Sequence, residues 1–326
     1  MRVEGMSRQL TRREFLSRAV AGSAAVVTAG RWAGALFAQG AEPAAPAEPV
    51  LKERSTVIRA NSPRVIDLYG RVDSSVMFEA IRQLLMGITG KLKLPDVVAQ
   101  YAQPSDRVGL LVNRAWGLGT NPDLVELIYL SLTNGGVARE NVLVWNGAAQ
   151  DYTPDGFARQ FVEGSTVIFS LASLYAHWRL GMVGALANIL GLVADPEPYY
   201  QSQGRGIGKL WANPTFQQKH KLVIMDALRP YFGSEASYQP ELRWLEQSVL
   251  VSPDPVAIDV IGRQMLLERR RLYRGGDWPL EPPADYIEEA DTIYHGGRSR
   301  PADINLRDIW VRETAPAGPA KPATTH

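Results

Sequence analysis

Between residues 52 and 312 the apolar positions follow two spacings in turn. Short runs rich in β-branched and aliphatic residues read as strands: STVIRA (55–60), RVGLLVN (107–113), ENVLVWN (140–146), STVIFSL (165–171), KLVIMDAL (221–228), SVLVS (248–252) and INLRDIWV (304–311). Helical spacing separates them. Val76, Ile81, Leu84 and Leu85 share one face of a helix over 74–90. The window 120–136 predicts another helix, with Thr120 as its cap, Pro122 in its first turn, Asp123 and Glu126 near the positive end of its dipole, and Gly135–Gly136 as its stop. Residues 253–273 form a third, acidic at the start and arginine-rich at the end, and the apolar run from Gly181 to Val193 reads as a buried helix.

Alternating strands and helices predict an α/β fold: a mostly parallel sheet with helices on both faces, in a single main domain. In such folds ligands sit beyond the carboxyl ends of the strands. That rule selects Asn113 and Arg114, Asn146, Asp226 with Arg229, and the turn Ser252–Asp254.

The 326 residues include no cysteine, which excludes disulfides, thiolate zinc and iron–sulfur ligation. The net charge is +1 with no basic stripe, so nucleic acid is not an expected partner. No His-Glu-x-x-His or Gly-x-Ser-x-Gly occurs, and GRGIGKLW (204–211) lacks the spacing and the hydroxyl of a phosphate loop; it reads as a mobile surface loop. The sequence names no cofactor.

The chain opens with Arg12–Arg13, then Phe15–Leu16, then a small-residue apolar stretch from Ala19 to Gly30. This resembles a twin-arginine (Tat) export signal, with cleavage expected near Ala38 or Ala41. The alternatives are a soluble arginine-rich arm or a retained anchor, although Arg31 keeps the apolar run well below the ~20 residues a membrane span needs. The expected organisation is a signal over 1–38, a Pro/Ala-rich linker over 39–51, the folded body over 52–312 and a tail of linker-like composition over 313–326. The Tat translocase is the expected partner during export, and the mature protein is expected outside the cytoplasm, in the periplasm, with no stable membrane span.

Each candidate side chain has a plain structural reading beside the functional one. His177 and Arg179 are the only charged or basic side chains in the apolar stretch from Ser165 to Ala194, where His177 is either a satisfied half-buried histidine or a ligand contact. Asp254 either serves a helix N-terminus or binds a ligand. Asp259 lies within an apolar stretch and, if buried, needs an arginine, a metal or a backbone N–H as its partner. Asp226 with Arg229 is a structural ion pair or a substrate-facing one. In the functional reading His177 and Asp259 are the catalytic pair, and Asn113, Arg114, Asn188, Asp226, Arg229 and Asp254 bind the ligand, the arginines holding an anion and the carboxylates orienting a base or a divalent cation.

The ordered set Val108–Asn113, Thr120–Val125, Val144–Asn146, Ser165–Ile168, His177 through Gly181 to Asn188, Val223–Arg229 and Val251–Asp259 resembles the domain-of-unknown-function 362 family (DUF362), in its Tat-exported branch, over about residues 55–312. The resemblance implies the fold and the compartment but no settled reaction. It also marks departures: Leu111, Tyr175 and Ala187 stand where the family pattern has lysines, Ser170 where it has asparagine, Ala172 where it has proline and Val183 where it has threonine. Loss of those lysines removes a capacity to hold an anion or move a proton. Two functions are therefore expected: an exported protein binding a small ligand at the strand ends, possibly an enzyme, or a catalytically degenerate structural or interaction protein of the cell envelope.

Overall fold

A computed structural model describes residues 54–67, 70–145 and 147–311. The chain divides into Met1–Lys52 and Glu53–His326, and every residue described lies in the second unit. The export-signal residues Arg12, Arg13, Phe15 and Leu16, the linker, the tail and Asn146 lie outside the described residues.

The strands form where the apolar runs stand: β1 Ser55–Asn61, β2 Val108–Val112, β3 Val142–Val144, β4 Val167–His177, β5 Gly181–Val183, β6 His220–Tyr231, β7 Ser248–Ser252 and β8 Ile304–Trp310. Among the described residues they make one sheet in the order β3-β2-β4-β6-β7-β1-β8, with β5 pairing the end of β4. The pairs β2–β3, β2–β4, β4–β6 and β1–β8 are parallel, whereas β7 runs antiparallel to both β6 and β1. The sheet is thus parallel except for β7 and the short β5, and its fold class is α/β with a mostly parallel sheet.

Both faces are covered, as burial of the strands on both sides requires. On one face lie α1 (Ser74–Thr89), α2 (Leu94–Tyr101) and α3 (Pro122–Asn134), packed on Phe169, Leu171, Ile224 and Val251. On the other lie α9 (Pro255–Arg274), α10 (Tyr286–Thr292) and the short helices α5 (Ala185–Asn188) and α7 (Ile207–Trp211), packed on Ile168, Ala172, Leu174 and Met225. Successive residues of β4 therefore point into two different cores, as the strand period demands. Each fully buried Leu or Ile on these faces contributes roughly 1.5–3 kcal/mol.

The helix ends follow local chemistry. Asp73 accepts from the N–H groups of Ser75 and Val76 to start α1, and Gly90 stops it at φ 69°. α3 is capped by Asn121 rather than by the expected Thr120; the Thr120 hydroxyl instead donates to the Leu171 carbonyl at 2.7 Å and fastens the helix to β4. The helix expected over Gly181–Val193 is not one element. Gly181 (φ 79°) turns the chain back so that Gly181–Val183 pairs with β4, and the single-turn α5 and a 3₁₀ turn follow. Residues 204–211, expected as a mobile surface loop, end in α7, where Ile207, Gly208, Leu210 and Trp211 are buried.

Candidate functional site

The carboxyl edge of the parallel strands carries Asn113 and Arg114 after β2, His177 at the end of β4, and Arg229 near the end of β6. Asp254 is not there. Because β7 is reversed, Ser252 pairs with Val223 near the start of β6, and Asp254 lies at the opposite, amino edge beside the first residue of β1, Ser55, whose hydroxyl donates to it. Asp254 also accepts from the N–H groups of Val256, Ala257 and Arg298, so it is the cap of α9 and a clasp to the loop at 298. It is well removed along the strand direction from the rest of the expected ligand set.

Asp259 and Asn188 are buried beneath the sheet face, among hydrocarbon. The Asp259 carboxylate accepts from the N–H groups of Ala185 at 2.6 Å and Leu186 at 2.9 Å, the start of α5. Of the partners the sequence left open, backbone N–H groups hold the carboxylate and the charge of Arg263 acts on it as well, and no cluster of three or more His, Asp or Glu side chains fit for a metal occurs among the described residues. Burial pushes its pKa up to about 7, against the stabilising pull of the two N–H groups. Asn188 donates to the Leu111 carbonyl and to the Ser170 hydroxyl, both at 3.0 Å, and ties α5 to β2 and β4.

Asp226 is buried as well. It accepts from the N–H of Asn121 at 2.7 Å and of Leu228 at 2.9 Å, which locks the start of α3 to β6; burial raises its pKa. No ion pair joins it to Arg229, whose exposed guanidinium lies against Gly70. Arg114 lies against Gly147.

One group of candidates does converge. The Asn113 amide lies beside the buried Tyr175 hydroxyl, and the Tyr175 and His177 rings are 6.3 Å apart. His177 stacks on Trp178 at 6.4 Å and on Tyr200 at 5.7 Å, while the Arg179 guanidinium lies over the Trp178 and Tyr200 rings and pairs with Glu197. His177 Nδ1 accepts from the N–H groups of Arg179 and Leu180 at 3.1 and 3.3 Å, so the neutral ring carries its proton on Nε2. Burial, with Arg179 adding to it, lowers the pKa to about 4. At neutral pH this ring is a hydrogen-bond donor at Nε2, with its basic nitrogen already engaged by the chain.

The sequence reading missed Tyr175, Tyr200, Arg179 and Glu197 as members of this group. It also missed Arg270, 1% exposed within α9, which donates to the carbonyls of Trp278, Phe232 and Pro279 and stacks on Trp278 at 4.1 Å. Arg270 holds the chain after α9 in place.

Among curated proteins, none matches this chain. A Thermotoga maritima protein of known crystal structure is similar over 67% of this chain and 59% of its own length, at 9% identity and a TM-score of 0.33, so the chain spans less than two thirds of that protein. The family model described as domain of unknown function (DUF362) matches residues 135–264, from the end of α3 to the middle of α9, and over those residues the resemblance drawn from the sequence is supported.

Proposed function

We propose that this protein is exported folded through the Tat route, loses residues 1–38 and works outside the cytoplasm as a catalytically silent structural or interaction protein of the envelope. One observation carries the reading. Leu111, Tyr175 and Ala187, which occupy the family's lysine positions, are 0%, 7% and 5% exposed and belong to one apolar cluster. Hydrocarbon and a phenol thus fill the space in which charged amines would have met. The remaining polar candidates are engaged in architecture: Asp226, Asp254 and Asp259 by backbone N–H groups, Asn188 by a carbonyl and a hydroxyl, and His177 by two N–H groups at its basic nitrogen.

The test compares a periplasmic metabolite extract before and after incubation with the purified protein, by mass spectrometry. The reading expects no metabolite to be converted. A metabolite consumed by the wild type and spared by His177→Gln overturns it.

A second reading is favoured by the convergence of Asn113, Tyr175, His177 and Tyr200 at the carboxyl edge, with Trp178 51% exposed beside them. There the protein would bind a small ligand through the Nε2–H donor and the aromatic faces, without moving a proton.

A further inference from the structure

Beside the turn that follows His177 lies a cleft of about 330 Å³. One wall is the segment after α6 (Glu197–Gln201), bearing Gln203 and Arg205; the other is the loop and first turns of α10, bearing Pro282, Asp285, Tyr286 and Glu289. Its volume falls at the small end of the range that organic ligands occupy.

The walls are held by the same turn that positions His177. The Tyr286 hydroxyl donates to the Met182 carbonyl in β5, and a Cβ on Gly181 would stand 2.1 Å from the Pro282 carbonyl, so the two segments touch backbone to backbone. Two residues in the left-handed region, Gln203 (φ 58°) and Ala284 (φ 63°), shape the opposing walls.

What sets this cleft apart is the state of its polar groups. At the strand ends nearly every candidate is engaged. Here the side chains of Gln203, Arg205 and Asp285 make no hydrogen bond or ion pair among the described residues, and Glu289 uses one carboxylate oxygen, which accepts from the Gly206 N–H at 3.1 Å. Arg205 lines the cleft on one wall and Asp285 and Glu289 on the other, with Pro282, Pro283 and the exposed Ile293 supplying its apolar surface. A small molecule bearing one carboxylate and one ammonium on a short apolar skeleton satisfies both walls at once. We propose that this cleft binds a free zwitterionic α-amino acid with an apolar side chain, its carboxylate on Arg205 and its ammonium between Asp285 and Glu289. The proposal goes beyond the scaffold reading and does not depend on it.

The test is calorimetric titration of the full folded chain with L-leucine, with N-acetyl-leucine, which lacks the ammonium, and with isopentylamine, which lacks the carboxylate; the other apolar L-amino acids are run beside leucine. At least one amino acid is expected to bind at millimolar concentration or below, and more tightly than either truncated probe. Arg205→Gln is expected to weaken it by about tenfold or more, the effect of losing one charge-assisted contact, and to leave isopentylamine unchanged. Asp285→Asn is expected to weaken the amino acid and isopentylamine alike. Lys91→Gln, an exposed change just after α1, is expected to change none of these affinities. Absence of binding by every amino acid tested, or an affinity unchanged in both Arg205→Gln and Asp285→Asn, overturns the proposal.

Discussion

The carboxylate of Asp259, in the second turn of α9, accepts a hydrogen bond from the backbone N–H of Ala185 at 2.6 Å across 74 residues of sequence. A second N–H, from Leu186, completes the pair of contacts, so one side chain anchors the turn that follows β5 to the longest helix of the fold. The residue that looked most catalytic in the sequence is a helix-start clasp.

That arrangement has a pH signature. The folded pKa of Asp259, about 7, stands above its ordinary carboxylate value of 3.8, so the folded state holds this proton more tightly than the unfolded chain does. Its contribution to stability is fully present below pH 3.8 and is lost as pH rises through 7. Asp259→Asn cannot titrate, and it offers one acceptor where the carboxylate offers two. It is expected to cost about 1–3 kcal/mol, through one buried N–H left unsatisfied, and to flatten the slope of stability between pH 4 and 7. Urea denaturation at several pH values measures both effects.

Gly184 makes room for the clasp. A Cβ at that position would stand 2.2 Å from an Asp259 carboxylate oxygen. Gly184→Ala is expected to destabilise the protein by about 1–3 kcal/mol, because a rigidly held carboxylate cannot withdraw without losing its N–H partners. Combined with Asp259→Ala, the same substitution is expected to cost clearly less than alone, which a double-mutant cycle on thermal unfolding reads directly.

Export is tested in cells. Replacing Arg12 and Arg13 together by lysine is expected to leave the full-length protein inside the cytoplasm, whereas the unaltered chain yields a shorter species outside it, cut near Ala38 or Ala41. Fractionation followed by intact-mass measurement tells these apart. An unaltered chain that stays cytoplasmic at full length contradicts the reading of residues 1–38 as a signal.

Much of the fold was legible because its signals are local. Continuous apolar runs bounded by polar residues gave the strands, and the spacing of Ile81, Leu84 and Leu85 gave the buried face of α1. Asp254 before Pro255 gave the start of α9, and its plain reading as a cap is what the structure contains. The direction of β7 was not legible, since no residue in SVLVS encodes which way its neighbours run; this alone put Asp254 on the wrong edge of the sheet. The apolar run at 181–193 has no periodicity to separate strand from helix, and Gly181 decides it through a contact with Pro282 that lies a hundred residues ahead. The stack of His177 on Tyr200 and the cleft before α10 depend on how distant segments pack, which spacing cannot reveal.

The most direct measurement for the claim that the strand-end groups are architecture is the titration of the His177 imidazole, followed by nitrogen and carbon-bound proton NMR with His177→Gln used for assignment. The account predicts a neutral ring protonated at Nε2 down to about pH 5, with a midpoint near 4, because Nδ1 is held by the N–H groups of Arg179 and Leu180 and the ring is desolvated. A midpoint at 6.5 or above, or a ring carrying its proton on Nδ1, would leave a free base at the carboxyl edge and contradict it.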